Sequence, residues 1–207
     1  MQVFTSRTAG DTGKFEGVVD AFPDLWHGAV LDVGCRSGNL RRVLGGRIER
    51  YVGVDLVPPA DVVADLETGL PFEDRTFDVT VALDVLEHTN DLHAAFDELA
   101  RVTRRALVLS LPNCYEAGTR LKILFGRPLG GKYGLPVAPP QDRHRWFFSL
   151  ADAARFVHDY GAARGWRVVS EGLLAGPRRR RLAPVVRRFP GLLGKTYVAH
   201  LERGLLP

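Results

Sequence analysis

The run Ala29-Val30-Leu31-Asp32-Val33 leads directly into Gly34-Cys35-Arg36-Ser37-Gly38 and then Asn39-Leu40. An apolar stretch, a polar turn with two glycines and the opening of a helical pattern define a strand–turn–helix unit. Glycine in such a turn removes side chains that would hold a ligand off the backbone. Asp55 follows Asp32 by 23 positions and closes a second apolar run, Tyr51-Val52-Gly53-Val54. An acid at that spacing can accept hydrogen bonds from ribose hydroxyls. These features predict an α/β sheet that binds a nucleoside-containing ligand beyond the carboxyl ends of its strands.

The rest of the chain continues the alternation. Strands are expected at 30–33, 51–55, 61–64, 77–83 and 106–111. Helices are expected at 14–26, from 39 to 44, and at 91–103, where Leu92, Ala95, Phe96, Leu99 and Val102 share one face. A helix at 149–163 opens on Ser149-Leu150-Ala151-Asp152, a capping-box pattern, and two closing strands follow at 166–170 and 195–202. Seven strands alternating with helices imply one domain over 1–207. Its expected form is a doubly wound, mostly parallel, Rossmann-like sheet with helices on both faces.

Two segments interrupt this pattern. Residues 113–148 contain a helical stretch at 115–125 and then a loop bearing Gly130-Gly131 and Pro139-Pro140. A loop of that length is expected to be functional, here as a cover for a substrate. Residues 176–194 form a basic insertion between the last two strands. Arg178, Arg179, Arg180, Arg181, Arg187, Arg188 and Lys195 have no acid among them, and without them the net charge of +4 turns negative. The basic balance therefore belongs to 178–195.

Three readings stay open for that segment: a solvated loop, contact with an anionic membrane or lipid-linked substrate, and nucleic acid. The solvated loop ranks first; Leu182, Val185, Val186, Phe189, Leu192 and Leu193 interleave with the cations and put a membrane second. Nucleic acid ranks last because aromatic platforms are sparse there. Pro184 and Pro190 argue against one long helix.

No apolar run approaches the ~20 residues that span a bilayer, and the first residues carry no apolar signal core. A cytoplasmic location is expected, peripheral to a membrane if 178–195 binds one. Cys35 and Cys114 are expected to be reduced, buried fillers. No histidine–cysteine cluster has zinc spacing, so no metal is expected.

A dinucleotide fingerprint would need glycine where Arg36 and Asn39 stand, and no Gly-Lys-Ser/Thr of a phosphate loop follows the turn. The turn at 30–38, Asp55, Asp65-Leu66, Leu70-Pro71-Phe72, Phe77-Asp78-Val79 and Leu83-Asp84-Val85-Leu86-Glu87-His88 occur in order over 28–111. In that set the chain resembles the class I S-adenosylmethionine-dependent methyltransferases. Ser110-Leu111-Pro112-Asn113, Phe125-Gly126-Arg127-Pro128 and Gly134-Leu135-Pro136 are similar to the type 11, methionine-biosynthesis W-like group.

The resemblance implies methyl transfer from S-adenosylmethionine to a small-molecule or lipid-like acceptor, leaving S-adenosylhomocysteine. It implies cofactor contacts at Asp32, Gly34, Arg36, Gly38, Asp55, Leu56, Asp65, Leu66 and Leu83. Gly34 and Gly38 would let the methionine portion lie against the backbone. Asp55 would take the ribose diol, and Asp65 an exocyclic amine. Asp65 also suits a plain strand-to-turn exit.

Arg36 stands where the related enzymes carry glycine. The turn tolerates it if φ stays negative, with the side chain in solvent or on the cofactor carboxylate. A non-catalytic binding protein on the same fold is the other reading. His88 and His144 are candidates for proton transfer or substrate contact. Glu87 is expected to pair with an arginine, and Arg143 and Arg145 are either anion ligands or solvated.

Overall fold

The structure, a computed structural model, describes residues 1–6, 8, 11–138, 140, 142–176 and 182–204. Its strands are β1 (Gln2–Thr5), β2 (Ala29–Val33), β3 (Arg50–Asp55), β4 (Val62–Val63), β5 (Phe77–Leu83), β6 (Thr103–Pro112), β7 (Trp166–Ala175) and β8 (Thr196–Arg203). They form one sheet in the order β1-β7-β8-β6-β5-β2-β3-β4. All pairs are parallel except those of β8 with β6 and β7. The chain runs outward from β2 through β3 and β4, then returns to the other side of β2 as β5. This reversal puts the carboxyl ends of β2, β3 and β5 around one crevice.

The helices are α1 (Asp11–Ala21), α2 (Asn39–Leu44), α3 (Leu92–Val102), α4 (Ala117–Leu124), α5 (Leu150–Arg155), α6 (Gly161–Ala163), α7 (Ala183–Arg188) and α8 (Pro190–Leu193). A π turn, Phe156–Tyr160, joins α5 to α6. Both faces of the sheet are covered. Val30, Val79, Val81, Val108 and Val198 pack with Val18 and Val19 of α1 and with Leu40 and Leu44 of α2. Their neighbours Leu31, Ala82, Leu107, Leu109 and Ala199 face the other way, onto Phe96 and Leu99 of α3. Alternate residues of one strand are thus buried on opposite faces, which is why these strands read as unbroken apolar runs.

Local signals account for the helix starts. Asp91 caps α3 by accepting the His93 and Ala94 amides at 3.0 and 2.9 Å. The capping box of Ser149 and Asp152 forms as expected at α5. Pro23 ends the first helix early, and a single 3-10 turn, Pro23–Leu25, completes the 14–26 region.

The sheet has eight strands, one more than the seven expected. Strand β1 pairs in parallel with Gly172 through Ala175, the same residues by which β7 runs beyond the expected end at 170. A Cβ on Gly172 would lie 2.6 Å from the Phe4 ring. The absence of a side chain at Gly172 is therefore what lets β1 dock. In the basic insertion, Arg178, Arg179, Arg180 and Arg181 lie outside the described residues. Beyond them the chain breaks at Pro190 into α7 and α8. Among the described residues, no helix is long and apolar enough to cross a membrane.

Candidate functional site

The turn after β2 is held to β3 by two amides, Gly34 and Cys35, which both donate to the Val54 carbonyl at 2.8 and 3.1 Å. Gly34 and Gly38 sit at φ +73° and +69°. A Cβ on Gly34 would lie 2.6 Å from Val85 Cγ2, so this glycine serves both the left-handed turn and the close approach of the chain leaving β5.

Arg36 also lies in the left-handed region, at φ +47°, contrary to the negative φ expected of it. The turn's path is set by its bonds to β3, and the arginine accepts that path at a conformational cost. Its amide donates to Asp55 Oδ2 at 2.8 Å. Its side chain, 71% exposed, turns outward to Asp142 Oδ2 at 3.4 Å. Asp55 Oδ1 accepts the Leu56 amide at 2.8 Å. Each carboxylate oxygen keeps a second lone pair for a ligand.

A cavity of about 490 Å³ opens beside this turn. Gly34, Arg36, Asp55, Leu56, Asp65, Leu66, Leu83 and His88 all lie on its wall, as do Lys132 and Asp142 from the 113–148 segment. Asp65 additionally accepts the Glu67 amide at 2.9 Å, so its turn-forming role coexists with its place on the wall.

Three expected site residues are off the wall. Asp32 is buried beside Tyr51, whose hydroxyl donates to it. Burial pushes the Asp32 carboxyl up to about 7, against the lowering effect of that hydrogen bond. Gly38 is the N-cap of α2 and lines a separate small depression with Arg41 and Tyr51. His144 packs edge-on to His88, with ring centroids 4.7 Å apart, and does not line the cavity.

Lys14 and Asp84 are among the wall residues not singled out from sequence. Lys14 Nζ lies 2.6 Å from Asp84 Oδ2. Asp84 is held at φ +56°, where its amide donates to Ser110 Oγ at 2.9 Å and Ser110 Oγ donates back to Oδ1 at 2.6 Å. Burial raises the Asp84 carboxyl, but Lys14 and Ser110 outweigh it and leave the group below the usual carboxylate range. The stretch Leu83-Asp84 carried a signal for Asp84. Lys14 carried none, being one cation on an amphipathic helix.

Beyond His88 lies a buried polar cluster. Glu87 is fully buried and neither of its carboxylate oxygens has a hydrogen-bond partner. Among the described residues, the arginine expected to pair with it is absent. His144 Nε2 and His88 Nε2 face it at 3.8 and 3.9 Å from Oε1. Burial, then the neighbouring Asp84 charge, push the Glu87 carboxyl up to about 8. Burial lowers His88, and burial with the His88 and Lys132 charges lowers His144 to about 4. Both imidazoles are thus neutral near pH 7 and keep a lone pair.

The loop after 126 fastens onto this cluster. The Arg145 amide donates to the Glu87 carbonyl at 2.8 Å and its Nε to the His88 carbonyl at 2.9 Å. Trp146 Nε1 donates to the Thr89 carbonyl at 2.8 Å. Arg145 therefore anchors the loop to the chain after β5. Cys35 and Cys114 are buried and free, as expected.

Comparison with known proteins agrees with this geometry. Residues 31–109 match the family model of the methyltransferase domain. No curated protein matches the chain in sequence. Among solved structures, magnesium protoporphyrin IX methyltransferase from Synechocystis PCC 6803 with bound SAH superposes with a TM-score of 0.61 at 18% identity, covering 93% of this chain and 83% of that one. An S-adenosylmethionine-dependent methyltransferase from Mesorhizobium loti gives 0.61 at 14% identity, over 92% and 98%. A small RNA methyltransferase gives 0.63 at 16% identity, over 93% of this chain and 25% of that one. The protein has the class I S-adenosylmethionine-dependent methyltransferase fold.

Proposed function

We propose that the protein transfers a methyl group from S-adenosylmethionine to a small-molecule or lipid-like acceptor. The observation that carries this reading is the order of groups along one cavity. In the sheet order β5-β2-β3-β4, Asp65 and Leu66 follow β4, Asp55 ends β3, and Asp84, paired with Lys14, follows β5 on the far side of β2. These suit, in turn, an adenine with its amine, a ribose diol and a zwitterionic amino acid. Lys14 would hold the carboxylate and Asp84 the ammonium. Gly34 has no side chain to obstruct the thioether between them.

When bound, S-adenosylmethionine supplies a methyl group already activated on a cationic sulfur. The remaining work is to align the acceptor, exclude water and accept a proton where the acceptor carries one. Neutral His88, on the cavity wall, is placed to take that proton. His144, one ring behind it, orients His88 by edge-on packing. The 113–148 segment covers the opening with Lys132 and Asp142.

The acceptor class rests on the outer face of that segment. Leu121, Ile123, Leu124 and Phe125 of α4 and its end are all more than half exposed, beside Lys122 and Arg127. An apolar face with cations at its rim supports a lipid-like acceptor, or one presented at an anionic membrane. Exposed Leu182, Val185 and Phe189 next to Arg187 and Arg188 support the same contact through the basic insertion. Sedimentation with vesicles tests this: equal retention on neutral and anionic lipid ends the membrane reading.

Calorimetric titration tests the activity class. Both S-adenosylmethionine and S-adenosylhomocysteine should bind in the micromolar range. Asp55→Ala should weaken binding by about 10- to 100-fold, the loss of one or two hydrogen bonds to a charged acceptor. Absence of binding by either ligand sinks the enzyme reading.

A further inference from the structure

Among the described residues, neither oxygen of the fully buried Glu87 carboxyl has a hydrogen-bond partner. A buried polar group in that state is expected to have a partner of some kind. The atoms facing it are two imidazole Nε2 atoms. One donor atom from each of Glu87, His88 and His144 lies within 4.8 Å of the others. The two gaps to Glu87 Oε1, 3.8 and 3.9 Å, exceed the ~3.4 Å edge of a tetrahedral site with 2.0–2.1 Å bonds by only about half an ångström.

Both rings are held from behind by their Nδ1 atoms. His88 Nδ1 lies 2.9 Å from the Arg143 carbonyl, to which it donates as an N–H. That places the lone pair on Nε2, toward Glu87. His144 Nδ1 lies 2.8 Å from the Tyr133 hydroxyl, which in turn lies 3.1 Å from Cys114 Sγ. The carbonyl fixes the tautomer of His88, and the hydroxyl holds the direction of the His144 ring, as outer partners do for metal-binding histidines. From the cavity side, Lys132 Nζ reaches His88 Nε2 at 3.4 Å and Asp142 at 3.0 Å. Asp142 can keep the ammonium as an ion enters, because the lysine stem is long and rotatable.

We propose that Glu87, His88 and His144 form a site for a divalent transition-metal cation at the acceptor end of the cavity. One carboxylate and two neutral imidazoles are the donor set of first-row ions from manganese to zinc, and they leave coordination positions open. His88 belongs to both the cluster and the cavity wall, so an open position faces the crevice, and with the ion bound His88 would help orient the acceptor instead of taking its proton. An acceptor with a hydroxyl or carboxylate oxygen would be oriented there. That last step rests on the methyltransferase reading, whereas binding of the ion does not.

The test uses the full chain, stripped with a chelator and dialysed separately against manganese, cobalt and zinc salts. Metal per chain is measured by mass spectrometry, and ligation by the visible absorption of the cobalt form. One ion per chain is expected, with cobalt bands typical of nitrogen and oxygen ligands. Glu87→Gln and His144→Ala should each weaken binding by about tenfold or more, with the fold checked by circular dichroism. Failure of the wild type to retain any of the three ions overturns the proposal, whatever the variants do. Equal affinity in folded variants overturns it too. S-adenosylhomocysteine titrated into the same samples reports separately on the methyltransferase reading: its failure to bind leaves the metal result standing, and the reverse.

Discussion

Lys14 Nζ and Asp84 Oδ2 meet at 2.6 Å across the mouth of the crevice, one from α1 and the other from the left-handed residue that ends β5. Both groups are partly exposed, so the pair adds little to stability by itself. Its position on the cavity wall suggests a different use. Two opposite charges a few ångströms apart are complementary to an amino acid zwitterion.

This relationship predicts a selective loss. Asp84→Asn should weaken S-adenosylhomocysteine by about tenfold or more, and Lys14→Met should act similarly. The double variant should lose less than the sum, with a coupling of about 1 kcal/mol. Adenosine lacks the amino acid end, and its affinity should not change. Calorimetry with both ligands decides: an equal loss for adenosine would remove the pair from the methionine end.

A second prediction concerns Asp32, whose burial carries its carboxyl from 3.8 to about 7. Between those values the folded protein holds a proton that the unfolded chain has lost. Stability from this group is therefore full in acid and is lost as pH rises through 7, by at most about 1.4 kcal/mol per pH unit. Asp32→Asn keeps an acceptor for the Tyr51 hydroxyl and does not titrate. The melting temperature of the variant should thus fall less than that of the wild type between about pH 5 and about pH 7.5. Glu87, shifted in the same direction, and Asp84, shifted the opposite way, are present in both proteins and cancel in the difference. Parallel profiles would contradict the raised value.

The same residues show what a sequence can disclose. Gly34, Asp55, Leu83 and His88 were legible because each sits at or just past the end of a strand, and strand ends are marked by apolar runs. Asp32 was misplaced because alternation along β2 sends it away from the crevice, a matter of one residue in register. Lys14, His144 and the isolation of Glu87 depend on how α1 and the 113–148 segment pack over the sheet. No local spacing encodes those contacts. Strand β1 escaped notice because four residues are too few for a period, and its docking depends on Gly172 far along the chain.

Arg36 supplies the last prediction. At φ +47° an arginine costs about 1 kcal/mol or more relative to its preferred conformations. Glycine would relieve that strain but would lose roughly 0.5–1 kcal/mol to the greater freedom of the unfolded chain. The Arg36–Asp142 pair, largely in solvent, contributes between zero and about 1 kcal/mol. These terms nearly cancel, so Arg36→Gly should change stability by no more than about 1 kcal/mol. Because the guanidinium is largely in solvent at the rim of the crevice, paired with Asp142, S-adenosylhomocysteine affinity should stay within about fivefold of wild type, the range of an exposed ion pair. The non-catalytic reading predicts otherwise. If Arg36 blocks the cofactor, the glycine variant should bind at least tenfold more tightly, and side-by-side titration of the two proteins separates the cases. The amide of residue 36, which donates to Asp55 Oδ2, is retained by either residue, so the comparison isolates the side chain.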